Sequence, residues 1–303
     1  MMLSQVDEIA QKFQEHQDFA CSIIEQSDGS AKFSKDIWKK DIGFGVSRII
    51  SRGDKIEKGA INFSKVSGPA NKKISDALGV EAKWFTATGI SSIFHGNNPF
   101  IPTIHMNVRY FNLHNGIEWF GGGIDLTPVY IDIEQTKNFH SSLKEMCDRF
   151  DKDFYSEFKK WADDYFFLEH RNETRGVGGI FFDRQQPSAD FDIDKWLKFV
   201  LELSELYPVL YKSLLETNSR RPYNEANKTW QKIRRGRYVE FNLIYDRGTK
   251  FGLESNGNTE SILISLPSEA AWEYNFLPKA GSEEEKTQRL LKKGIDWINF
   301  PDN

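Results

Sequence analysis

Cysteine is nearly absent: 303 residues contain only Cys21 and Cys147, far apart in the chain. That excludes a disulfide framework and fits free thiols in a reducing compartment. Long apolar runs are missing too. No stretch approaches the ~20 residues needed to cross a bilayer, and the stretch from Met1 to Ala20 carries charges where a secretory signal needs an apolar core. The expected location is therefore the cytosol. Nor does one sign of charge prevail. Against 44 Asp and Glu stand 40 Lys and Arg, a formal charge of -4, which gives no global field to attract nucleic acid. An anionic ligand must then be met by a local group of arginines. No Gly-x-Gly-x-x-Gly turn opens a helix and no phosphate loop is present, which argues against a Rossmann domain. Internal repeats, low-complexity segments and linkers are also missing.

What the chain does have is rings. Aromatics make up 14% of it, with 24 Phe and 8 Trp, so it reads as a globular protein packed around aromatic side chains. Val6, Ile9 and Phe13 give an amphipathic opening helix over 3–26. Gly43–Ile50 and Ala60–Val66 read as two strands turned by Arg52-Gly53-Asp54, and Glu81–His95 as a third. From Glu134 the spacing turns helical: Phe139, Leu143, Met146 and Cys147, then Phe154, Phe158, Trp161 and Tyr165. Gly178–Asp183 is a short strand, and 190–216 a long helix in which Pro208 is expected to introduce a kink. Tyr238–Tyr245 alternates and predicts a strand, with Asp246-Arg247-Gly248-Thr249 as its turn and Ser261–Leu266 as the last strand. A terminal helix covers 282–293. Strands in runs with helices inserted in blocks indicate an α+β fold with a mostly antiparallel sheet.

The organising stretch is Thr103-Ile104-His105-Met106-Asn107-Val108-Arg109-Tyr110-Phe111. Side chains alternate faces along a strand, so Ile104, Met106, Val108 and Tyr110 make a core face while His105, Asn107 and Arg109 share the other. A merely solvated face would carry Lys, Glu, Thr or Ser. Glu118-Trp119-Phe120-Gly121-Gly122-Gly123-Ile124-Asp125 follows, where three glycines permit close approach and one carboxylate comes after them. Asp125 is either a carboxyl whose proton affinity is adjusted by burial or a turn cap ahead of Thr127-Pro128.

His95, His105, His140 and His170 are the histidines not explained as surface residues. A cluster of them would bind a divalent ion or shuttle protons, but their spacing matches no compact metal signature. The plainer reading of each is a hydrogen-bonded structural histidine. Arg109, Arg171, Arg175 and the Arg234-Arg235-Arg237 group are candidate anion holders, because a guanidinium fork matches a carboxylate. The alternative for the last group is a surface or ion-paired role.

Several blocks together carry a resemblance: His105 to Phe111, Trp119 to Pro128, His170 to Asp183, Arg234 to Leu243, Asp246 to Leu253 and Thr259 to Pro267. In this order and with these gaps, from about Trp38 to Tyr274, the chain resembles the oxygen-dependent coproporphyrinogen III oxidases. The resemblance implies one catalytic domain over 1–303, a large, flat, mostly antiparallel sheet with helices on both faces, and a homodimer. It also implies an enzyme of heme biosynthesis that converts two propionates of coproporphyrinogen III to vinyl groups, consuming dioxygen and needing no flavin, heme or nicotinamide. Carried over position by position, His105 is the proton donor, with Asp125 and Arg109 also catalytic. Ser91, Asn107, Arg109 and Arg175 contact substrate, as does the loop Asn256-Gly257-Asn258. His95, His105, His140 and His170 are the residues proposed for a divalent metal.

Two departures stand out. The family's loop triplet ends in arginine where this chain has Asn258, which removes a propionate partner, so that either substrate binds more weakly or another arginine such as Arg247 compensates. Gly43-Phe44-Gly45 is also less glycine-rich than the family's run. Two other classes remain open: a tetrapyrrole carrier that kept the pocket and lost turnover, and a histidine-ligated metal hydrolase. Dioxygen-dependent vinyl formation separates the first from an enzyme, and activity without dioxygen identifies the second.

Overall fold

The computed structural model describes residues 4–70, 75, 81–254 and 258–301. Its frame is a seven-stranded antiparallel sheet in the order β1-β2-β3-β4-β5-β6-β9, with β1 at Ser34–Lys40, β2 at Gly43–Ser51, β3 at Ile56–Pro69, β4 at Trp84–Gly96, β5 at Thr103–Asn112, β6 at Glu118–Thr127 and β9 at Gly178–Gln185. Two short strands, β7 (Phe167–Leu168) and β8 (Glu173–Thr174), pair separately. The first six sheet strands are sequential neighbours, as short connections favour.

The alternation along β5 comes out as the sequence requires. Ile104, Met106, Val108 and Tyr110 are each at most 1% exposed, on the face covered by α1 (Gln5–Asp28), α2 (Ile133–Asp148) and α4 (Ile193–Asn218). Helix α1 begins at Ser4, whose side chain accepts from the Asp7 N–H, and ends at Gly29 with φ 94°. Trp297, 2% exposed, joins this core from the far end of the chain. Helix α3 (Phe154–Tyr165) runs beside the edge strand β9 and packs against both sides of it, Phe158 on Phe182 and Tyr165 on Phe181.

Helices α5 (Glu225–Ile244), α6 (Arg247–Glu254) and α7 (Thr259–Leu263) follow on the second face, where Arg235 of α5 donates to the Gly96 carbonyl and Ser261 of α7 bonds Ser47 and Asn62. A last helix, α8, spans Glu283–Leu290. The sheet thus carries helices on both faces, and the fold is α+β. Three expectations fail here. Tyr238–Tyr245 is not a strand but the end of α5. That helix starts with a capping box, Asn224 with Asn227, and buries Trp230, Ile233, Arg234, Arg237, Tyr238 and Phe241 at helical spacing. The Tyr-Val-Glu-Phe-Asn run only imitates alternation. Ser261–Leu266 is helical at its start, an apolar run too short for its period to decide. Asp246 does not turn a hairpin, since its carboxylate accepts from the Thr249 N–H at 2.7 Å as α6 begins. Strand β1, charged and exposed at the sheet edge, had no signal in the apolar pattern.

Candidate active site

Cross-strand register places the polar face in rows. Ser47, Asn62, Ser91, Asn107, Gly123 and Phe181 pair in sequence across six strands. One row over run Gly45, Ser64, Gly89, Arg109 and Gly121; on the other side run Ala60, Ile93, His105, Asp125 and Gly179. Ser91, His105, Asn107 and Arg109 are half-buried, and glycines between them strip the floor of side chains. Space is tight beneath it: a Cβ on Gly121 would lie 2.5 Å from the Asp183 carboxylate and 3.2 Å from Arg109 Nε. Arg109 donates to Asp183 at 3.0 Å and to Asn107 at 3.3 Å. Gly121→Ala should therefore displace this pair and raise KM about tenfold with little change in kcat, a loss of roughly 1.4 kcal/mol of charge-assisted binding. Steady-state kinetics checks it.

Behind the row stands a buried ion pair. Asp125 and Arg175 side chains are each 2% exposed. Arg175 donates Nη2 to Asp125 Oδ1 at 2.6 Å and Nε to Oδ2 at 3.2 Å, and its Nη1 goes to Asn242 at 2.8 Å. The rings of Phe166, Tyr238 and Phe241 lie 4.5 to 4.7 Å from its guanidinium carbon. His105 Nδ1 meets Asp125 Oδ1 at 3.0 Å. Burial pushes the Asp125 carboxyl toward its neutral form, but Arg175 and His105 outweigh that and hold it below the usual carboxylate range.

Asp125 is 1% exposed, with both oxygens engaged by protein partners. It orients His105. All three guanidinium nitrogens of Arg175 are likewise engaged inside the protein. With Nδ1–H on Asp125, His105 Nε2 is left without a protein partner among the described residues.

The four histidines do not form one metal site. His95 is fully buried, with Nδ1 on Thr103 and Nε2 on the Ser265 carbonyl, and burial drives it down to about 3, so it is neutral. His140 lies on the other face of the sheet, on α2, between Tyr155 and the Val177 carbonyl. His170 bridges Tyr245 and Glu240. Among the described residues no group of three His, Cys, Asp or Glu is placed to hold an ion. His95 and His105 do share a face on adjacent strands, as expected, but their ring nitrogens serve different partners.

The remaining arginines pair within the protein: Arg171 and Arg237 with Glu240, Arg234 with Glu173, Arg235 with Glu57. Of the loop triplet, Asn256 and Gly257 lie outside the described residues, and Asn258 gives its carbonyl to the Ile262 N–H at the start of α7. Arg247, exposed, stands 5.8 Å over the Tyr165 ring.

The sequence reading missed three side chains. Tyr165 stacks on Phe181 at 4.0 Å and donates to Asp246 at 2.8 Å. Burial raises the proton affinity of Asp246, but Thr249, Tyr165 and the nearby His105 keep it ionised. Asn242 stood in a quoted block as a strand residue, and the same misread period hid all contacts of α5 with the sheet.

A family model described as coproporphyrinogen III oxidase matches residues 8–297. The chain belongs to the coproporphyrinogen III oxidase family. Relatives named oxygen-dependent coproporphyrinogen-III oxidase are 44% identical in Glycine max, over 94% of this chain and 77% of the relative, and 46% identical in Hordeum vulgare, over 92% and 76%; both are named chloroplastic. A relative of the same name from Prochlorococcus marinus is 41% identical over 94% of this chain and 91% of its own length. In this member of the coproporphyrinogen III oxidase family, no helix among the described residues is long and apolar enough to cross a membrane.

Proposed function

We propose that the chain is an oxygen-dependent coproporphyrinogen III oxidase, acting as one catalytic domain and as a homodimer in a reducing compartment such as the cytosol. What carries the reading is the row His105, Asn107 and Arg109 over a glycine floor, with Asp125 and Arg175 locked behind it. The main core runs from Ile9 to Trp297, which supports a single domain, and both cysteines are free and buried.

The substrate is a reduced macrocycle with four carboxylates. Arg109 and Arg247 orient propionates, and Ser91 and Asn107 contact the macrocycle from the floor. In each half-reaction a propionate, dioxygen and one proton give a vinyl group, carbon dioxide and hydrogen peroxide, a balanced two-electron oxidation. His105 Nε2 takes a pyrrole N–H proton, which enriches the ring for reaction with dioxygen, and returns a proton afterwards. Asp125 fixes the imidazole tautomer and orientation, as the acid of an acid–histidine pair does.

The test is turnover of coproporphyrinogen III with and without air, before and after chelation. Product should form only with dioxygen and at an unchanged rate after chelation, because the histidines offer no shared ligand set. Tight binding without product would favour the carrier, and turnover abolished by chelation and restored by a divalent ion would overturn the assignment of the histidines.

A further inference from the structure

We propose that Asn242 is a positioning residue for proton transfer, acting on His105 through Arg175 and Asp125. The proposal rests on the function given above. Asn242 is 4% exposed, on the last turns of α5. Its side-chain oxygen accepts the one Arg175 nitrogen that Asp125 does not take, at 2.8 Å, and its amide nitrogen points to Ser265 Oγ at 3.4 Å. Ser265 in turn presents its carbonyl to His95 Nε2 at 2.9 Å. The guanidinium is thereby held at both ends: Asp125 on one edge, a neutral amide on the other.

The neutrality of that amide matters. A carboxylate is an equally good acceptor for Nη1, but it would share the positive charge of Arg175, leaving Asp125 less neutralised and a stronger acceptor for His105 Nδ1–H. A neutral oxygen satisfies the nitrogen without competing for charge. The arrangement reaches His105 only through the two buried residues, and Asn242 itself is spent on Arg175 and Ser265, away from the half-buried row that faces a ligand.

Two variants test this, Asn242→Asp, which keeps the shape, and Asn242→Ser, which withdraws the acceptor. The readouts are steady-state kcat and KM, and the proton resonance of His105 Nδ1–H, identified by its loss in His105→Gln. In Asn242→Asp, kcat should fall about tenfold with KM within about twofold, and the Nδ1–H resonance should move downfield. In Asn242→Ser, kcat should fall with KM likewise held. An unmoved Nδ1–H resonance in a folded Asn242→Asp protein overturns the proposal even if turnover falls, because a structural role alone accounts for that. A rise in KM with kcat unchanged overturns it in favour of direct substrate contact. If the unaltered chain shows no dioxygen-dependent turnover while the resonance still moves in Asn242→Asp, the positioning role stands and the assigned reaction falls.

Discussion

Replacing His105 with glutamine is expected to lower kcat by about 10²- to 10⁴-fold, the range for loss of a general acid–base group, while substrate binding changes only a few-fold. Glutamine keeps the length needed to donate to Asp125, so the pocket is preserved and the proton site is lost. The reason is the division of labour in the row. His105 is the one residue there with a titratable atom open to a ligand, its other nitrogen being held at 3.0 Å by a carboxylate that is itself 2% exposed. Kinetics with a separate binding measurement, such as fluorescence quenching on titration with the air-oxidised porphyrin, distinguishes the two effects. A variant within threefold of the parent kcat would contradict the role.

The second large effect is on stability. Arg175→Met leaves the Asp125 carboxylate buried without its guanidinium, and breaking such a pair costs about 3 to 5 kcal/mol. Urea unfolding should show the loss. Asp125→Asn should cost a comparable amount, and the double replacement Arg175→Met with Asp125→Leu should recover most of it, since matched apolar groups need no compensation. Turnover should stay lost in all three. The pH dependence follows in sign. The folded carboxyl of Asp125 binds its proton less readily than in the unfolded chain, so its contribution is present above about pH 4, the usual carboxyl range, and disappears as pH falls below it. Arg175→Met should flatten that acid limb. A double variant no more stable than Arg175→Met would show that the pair does more than compensate two charges.

How far the sequence could be read depends on which physical signal each residue gave. Period-two alternation in β5 needed no knowledge of its neighbours, and it placed His105, Asn107 and Arg109 on one face. The glycine run before Asp125 located the adjacent strand, and the register then brought Asp125 opposite His105. Depth was not legible. Nothing in His170-to-Asp183 says that the Arg175 guanidinium lies under three rings with every nitrogen engaged. Helix α5 was missed altogether, and its end was taken for a strand because Tyr, Val and Phe favour strands while tertiary packing and the Asn224 cap favour the helix. With that went Asn242 and the capping role of Asp246. The histidines show the limit of residue type as evidence: His140 and His95 occupy opposite faces of the sheet, each satisfied by local acceptors and donors.

The account centres on one surface, the glycine-floored row of β4, β5 and β6. A crystal structure with the air-oxidised porphyrin of the substrate bound tests it directly. The macrocycle should lie over Gly89, Gly121 and Gly123, with a propionate on Arg109 and His105 Nε2 within about 3.2 Å, hydrogen-bond reach, of a pyrrole nitrogen or the reacting side chain. A macrocycle bound away from this row, with His105 Nε2 facing no part of it, would contradict the account.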